Sequence, residues 1–256
     1  MYNLGLALSG GGSKGIAHAG VLKFLAEEEI EPEVLAGTSA GAIVATMYAA
    51  GKSPKEIVNF FKSIHFFKWN HFSFMKSGGI IHSDVFSKYL TPIFQDRTLD
   101  DLDKKVHITA TNILTGKLEI FGGNIKVVDA VIASCAIPLV ATPYKIGGEL
   151  YSDGGILNNF PADVLQYIAK KIIGVYFLPQ KEVKATDLKN ILDVTSRAYD
   201  LLTTHAELGK TTHCDWLINP SELINYQMFE SKKTRMDDIF RIGYEAAKSS
   251  YHKDLI

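Results

Sequence analysis

The chain has 256 residues, 46% of them hydrophobic and 21% charged, which is enough apolar material for a full globular core and excludes a disordered chain. Its 27 Lys and Arg nearly balance its 28 Asp and Glu for a formal net charge of -1, and the basic residues are spread out, so nucleic acid is not an expected partner. The two cysteines, Cys135 and Cys214, stand in unrelated contexts, which argues against a disulfide framework or a zinc site and fits a reducing, cytoplasmic setting.

Met1 to Gly5 carries no basic residue ahead of an apolar run, so no secretory signal is expected, and residues 1–256 read as one domain. Residues 3–8 are expected as a short buried strand, followed by a glycine loop at 9–15. A helix to about Glu29 follows, with Ala17, Val21, Leu22 and Leu25 on one face. From Val34 to Gly51 there is no charged residue, a length that just reaches a membrane span. The run contains the turn sequence Gly37-Thr38-Ser39-Ala40-Gly41 and is rich in Ala, so it reads instead as strand, tight turn and buried helix. Ser53-Pro54-Lys55-Glu56 supplies an N-cap, a first-turn proline and a capping-box glutamate for the next helix. Strand, helix, strand, helix predicts a three-layer α/β/α architecture with a central, mostly parallel sheet.

Residues 64–75, "IHFFKWNHFSFM", are unusually aromatic and flanked by lysines, a composition suited to a wall or lid that touches a membrane surface, or to a helix pair closing the core. Asp84 to Phe94 resumes a helical pattern. Alternation at Val106–Ile113 and Leu118–Phe121 predicts two strands joined through Thr115-Gly116, and Val127–Ala136 reads as a helix ending before Pro138. Tyr144–Ile146, Gly147-Gly148 and Glu149–Ser152 read as a hairpin that delivers Asp153-Gly154-Gly155. A strand at Ile172–Phe177, a long helix near Asp187–Leu208, a strand at Trp216–Asn219 and a helix from about Met236 complete the chain.

Three motifs carry chemistry. Gly10-Gly11-Gly12-Ser13-Lys14-Gly15 fits G-x-G-x-x-G between a strand and a helix, so it suits a nucleotide phosphate, an oxyanion formed during a reaction, or simply a tight turn. A dinucleotide site also needs an acid at the end of the next strand, where Gly37-Thr38-Ser39 stands, and Gly15 after Lys14 rules out a P-loop. Gly37-Thr38-Ser39-Ala40-Gly41 is G-x-S-x-G: Ser39 is either a nucleophile on a strained turn, with small residues two places either side, or a helix N-cap. As a nucleophile at a helix N-terminus, it would have the Ala40 amide and the helix dipole beside the developing charge. Asp153, followed by Gly154 and Gly155, presents a carboxylate on a sharp turn. The histidines are unframed; His205, His213 and His252 follow Asp153 in chain order and could complete a Ser, Asp, His triad.

Taken in order, SGGGSKG, GTSAG, ASCAIP and YSDGG resemble the patatin-like phospholipases, lipid acyl hydrolases with a Ser–Asp dyad, over most of residues 4–163. The resemblance implies that Gly10, Gly11 and Gly12, with Lys14 and Gly15, form the oxyanion loop, that Ser39 between Gly37 and Gly41 is the nucleophile, and that Asp153 is the base. Ala133-Ser134-x-Ala136-x-Pro138 and Asn159-x-Pro161 match further family segments, while no motif carries over beyond about residue 165. It implies phospholipid, lysophospholipid or another fatty acyl ester as substrate; no metal ligand set is visible, so no metal or cofactor is expected, and the composition of residues 64–75 makes them the candidate for peripheral membrane contact. Such a base would need burial to raise its carboxyl above the reference value. A transacylase using the same dyad, or a dinucleotide-binding module, are the alternatives; the oligomeric state is not legible.

Overall fold

The computed structural model describes residues 1–64, 79–177, 182–189, 193–194, 197–198, 201 and 207–256. The strands are β1 Tyr2–Leu8, β2 Val34–Thr38, β3 Gly79–Ile81, β4 Lys105–Asn112, β5 Lys117–Phe121, β6 Leu139–Ala141, β7 Tyr144–Ile146, β8 Glu149–Asp153, β9 Ala169–Val175 and β10 Trp216–Ile218. Among the described residues the α-helices with defined bounds are α1 Ile16–Glu27, α2 Ala40–Ala49, α3 Pro54–Ser63, α4 Ser87–Phe94, α5 Val127–Ser134, α6 Ala162–Leu165 and α7 Lys233–Ser250. The aromatic stretch lies outside the described residues apart from Ile64, and so does most of the helix expected near Asp187–Leu208, including His205.

Among the described residues eight strands form one sheet in the order β10-β9-β1-β2-β4-β8-β7, with β5 added on β4. Strands β10 to β4 run parallel, and β5, β7 and β8 join antiparallel, which is the mostly parallel sheet expected. Alternation along β1 sends Leu4, Leu6 and Leu8 into the larger core, under α1, α2, α5 and α7, and Ala7 into a second cluster with Phe160, Leu165 and Tyr176. Both faces are therefore covered, as parallel sheets require.

The uncharged run 34–51 is β2, a sharp turn and a helix, α2, in which nine of ten residues are buried. Among the described residues no helix is long and apolar enough to cross a membrane. The capping box at α3 forms: Ser53 Oγ accepts from the Glu56 N–H at 3.3 Å, and Glu56 Oε2 accepts from the Ser53 N–H at 2.8 Å. Two strands escaped the sequence reading. β3 and β6 are three residues each, too short to display alternation, and pair parallel as a separate small sheet.

The register of β4 decides which strand ends meet. Residues Ile108 to Asn112 pair with β5 on one edge; on the opposite edge Lys105 to Thr109 pair with β2, and Ala110 to Asn112 pair with β8. Because β2 is parallel to β4 and β8 antiparallel, these two strands run toward each other along one edge. They end at Thr38, opposite Thr109, and at Asp153, opposite Ala110.

Candidate active site

Ser39 follows β2 directly and has φ 53° and ψ -119°, a left-handed conformation uncommon for a residue with a side chain. Such strain, of order 1–3 kcal/mol, persists only where the surroundings enforce it. They do so here by close approach: a Cβ on Gly41 would lie 2.1 Å from the Leu8 carbonyl oxygen, so the turn can pack against β1 only with glycine at that place. Ser39 is the residue before α2, so its side chain stands at the positive end of that helix.

Asp153 closes β8 and is 1% exposed. Its Oδ1 accepts the Gly155 N–H at 2.7 Å, which fixes the carboxylate over the turn that follows. Gly154 at that turn is pressed on β4, where a Cβ would sit 2.3 Å from the Thr109 carbonyl oxygen.

The segment Ser134–Ala136 ties the two ends together. Ser134 Oγ accepts the Ser39 N–H at 2.8 Å, and the Ala136 carbonyl accepts both the Asp153 N–H at 2.9 Å and the Ser152 hydroxyl at 2.6 Å. Between them, the Cys135 thiol lies within hydrogen-bonding reach of Ser39; burial first and the Asp153 carboxylate second push that thiol well up. Cys135 was passed over in the sequence because a lone buried cysteine has no spacing signature. Ser134 was legible only as a matched letter without a role.

The glycine loop is held by distant parts of the chain. The Gly10 N–H donates to the Asn159 carbonyl at 3.0 Å, the Ser13 N–H to the Met228 carbonyl at 2.7 Å, and the Ser13 hydroxyl to the Glu230 carbonyl at 3.3 Å. Gly12 to Gly15 form a 3-10 turn that contains Lys14. Gly15 packs against Ala40, so the loop and the Ser39 turn touch.

Of the histidines, His18 is fully buried, stacks on Phe177 at 4.3 Å and donates from Nε2 to the Ser9 carbonyl at 2.8 Å. Burial holds it neutral, with a pKa of about 3, so it braces the loop from behind. His213 lies in a 3-10 turn at Leu208–His213, and His82 and His252 are exposed.

Beside Ser39 opens a pocket whose walls are almost wholly apolar: Ile43, Phe61, Phe86, Ile137, Val140, Ala141 and Phe229, together with Gly12, Ala40 and Cys135. Phe229, from the last quarter of the chain, could not be found by motif.

The chain is 28% identical over 269 residues to the uncharacterized protein R571 of Acanthamoeba polyphaga mimivirus, covering 98% of this chain and 86% of that protein. It is 28% identical over 207 residues to patatin-like phospholipase domain-containing protein 7 of Rattus norvegicus, covering 75% of this chain but only 15% of that longer protein. Among solved structures, VipD from Legionella pneumophila superposes with a TM-score of 0.65 at 16% identity, over 97% of this chain and 66% of that one, and shares the fold. The family model "Patatin-like phospholipase" matches residues 6–165, the stretch holding the glycine loop, Ser39, Ser134 and Asp153, so the chain belongs to the patatin-like phospholipase family.

Proposed function

We propose that this chain hydrolyses fatty acyl esters, phospholipids or lysophospholipids among them, through an acyl intermediate on Ser39 with Asp153 as the base. The family's general activity on lipid esters frames the reading. The observation that carries the rest is the register: β2 and β8 end head to head on one edge of β4, with Ser134 to Ala136 bonded to both ends.

In this mechanism Ser39 Oγ attacks the ester carbonyl carbon and its proton passes to Asp153. The carbonyl π electrons move onto oxygen, and the resulting oxyanion meets the backbone amides around it. Gly10 was expected among these amides, but its N–H is engaged by Asn159, so we assign the role to Gly11, Gly12 and Ala40. Collapse of the intermediate breaks the C–O bond, Asp153 returns the proton to the leaving alkoxide, and water then cleaves the acyl-Ser39 ester by the same path. The pocket beside Ser39 takes the acyl chain, whose transfer from water into an apolar lining is favourable by about 0.8 kcal/mol per methylene.

Fluorophosphonate labelling and an ester panel test this reading. Ser39→Ala is expected to abolish labelling, Asp153→Asn to be about as damaging, and the double variant to be no slower than either, as for residues acting as one unit. His205→Ala, His213→Ala and His252→Ala are each expected to stay within about tenfold of the unmodified chain, ~1.4 kcal/mol in the barrier. A loss of about a thousandfold in a folded histidine variant would replace the dyad by a triad.

A further inference from the structure

The C-terminal third, which carries no recognisable motif, contributes a buried carboxylate with an unusual set of partners. Glu207 is 0% exposed and ion-paired with Lys210 at 2.9 Å. Its Oε1 accepts the Asn159 N–H at 3.0 Å and its Oε2 accepts the Phe160 N–H at 3.2 Å. A peptide unit is a rigid plane, so fixing its N–H fixes the direction of the carbonyl at its other side. The plane containing the Asn159 N–H presents the Asn158 carbonyl, which accepts the Thr38 hydroxyl at 2.8 Å and the Thr109 hydroxyl at 3.3 Å. The plane containing the Phe160 N–H presents the Asn159 carbonyl, which accepts the Gly10 N–H at 3.0 Å. Thr38 immediately precedes Ser39, and Gly10 immediately precedes Gly11.

We propose that Glu207 is a positioning residue which, through two consecutive peptide planes, sets the nucleophile turn and the oxyanion loop at their mutual distance. The proposal rests on the reading of Ser39 and of the glycine loop given above. A buried carboxylate is unfavourable unless several strong, directional bonds satisfy it, and these two are charge-assisted. They also polarise each peptide, making the Asn158 and Asn159 carbonyls better acceptors for Thr38 and Gly10. The far side of the loop is tied as well, since the Ser9 carbonyl, in the same plane as the Gly10 N–H, accepts from His18. The 9–10 peptide is thereby clamped at both of its polar atoms.

Glu207→Gln combined with Lys210→Met keeps the volume, removes the ion pair together and leaves only one acceptor for two N–H groups. Three readings are taken: kcat and KM on a short soluble ester, the rate of fluorophosphonate labelling, and hydrogen exchange at the Gly10 amide followed by NMR. A positioning role predicts that kcat and labelling fall by about tenfold or more per folded molecule while KM stays within about twofold. Gly10 exchange is then faster by a similar factor, and Glu207→Asp, which keeps the charge, recovers part of each loss. Unchanged kcat per folded molecule with unchanged Gly10 exchange would overturn the proposal, whatever happens to the melting temperature. If the unmodified chain neither labels nor hydrolyses any ester, the enzymatic reading fails, and the exchange comparison still decides whether Glu207 holds the loop. If no Glu207 variant folds, exchange in the unmodified protein decides: the network requires strong protection of Gly10, Asn159 and Phe160, and free exchange there would refute it.

Discussion

His18 makes a quantitative prediction about acid stability. The ring is buried, its Nε2–H is bonded to the Ser9 carbonyl, and its pKa is lowered from 6.5 to about 3 because burial opposes the charged form. The unfolded chain therefore binds a proton at pH 5 that the folded one does not, and stability falls as pH drops below 6.5 toward 3. With those two pKa values, the loss between pH 7 and pH 5 from this residue is about 2 kcal/mol. His18→Gln keeps an N–H donor for Ser9 and removes the titration, so urea unfolding followed by circular dichroism at pH 7, 6 and 5 isolates the effect as a difference between two proteins. Glu207, whose carboxyl burial pushes up, contributes with opposite sign but equally to both, and cancels. The expected result is that the variant is less stable at pH 7 yet loses about 2 kcal/mol less than the unmodified chain on going to pH 5. Equal losses in the two proteins would show that His18 is protonated inside the fold, and would refute its role as a neutral brace.

Three further outcomes follow from the same geometry. Ser39→Gly relieves the φ 53° strain and is expected to raise unfolding free energy by about 1 kcal/mol, net of glycine's added chain entropy, while abolishing labelling; no gain would mean that the turn is unstrained. Gly41→Ala drives a methyl into the Leu8 carbonyl oxygen and is expected to cost about 3 kcal/mol or more, read as a lowered urea midpoint; a neutral result would refute the close packing of the turn on β1. Val140→Trp narrows the pocket and is expected to depress kcat/KM for long-chain esters about tenfold relative to a butyrate ester; equal effects on both would place the acyl chain elsewhere.

By itself the sequence determined the features that depend on neighbours a few residues away. A glycine cluster after an apolar strand, small residues two places either side of Ser39, the capping box at Ser53 and the D-G-G turn are local solutions of backbone geometry, and each forms where expected. The strand and helix order followed from the same periodicities, with misses where elements were too short, as in β3 and β6. Element edges drifted where caps are absent: α7 starts at Lys233, ahead of Met236, on a residue with no side-chain cap. What only the tertiary structure decided is which of these pieces meet. The bond from Ser39 to Ser134 spans 95 residues, that from Ser13 to Glu230 spans 217, and Glu207 reaches back 48 residues to Asn159. No local pattern encodes such pairs, because they are fixed by the order of strands in the sheet and by which edge of β4 each strand occupies. Cys135, Phe229 and Glu207 look ordinary in the chain for that reason, and come near the candidate site only because β2 and β8 end at one point and the C-terminal third folds back over the glycine loop.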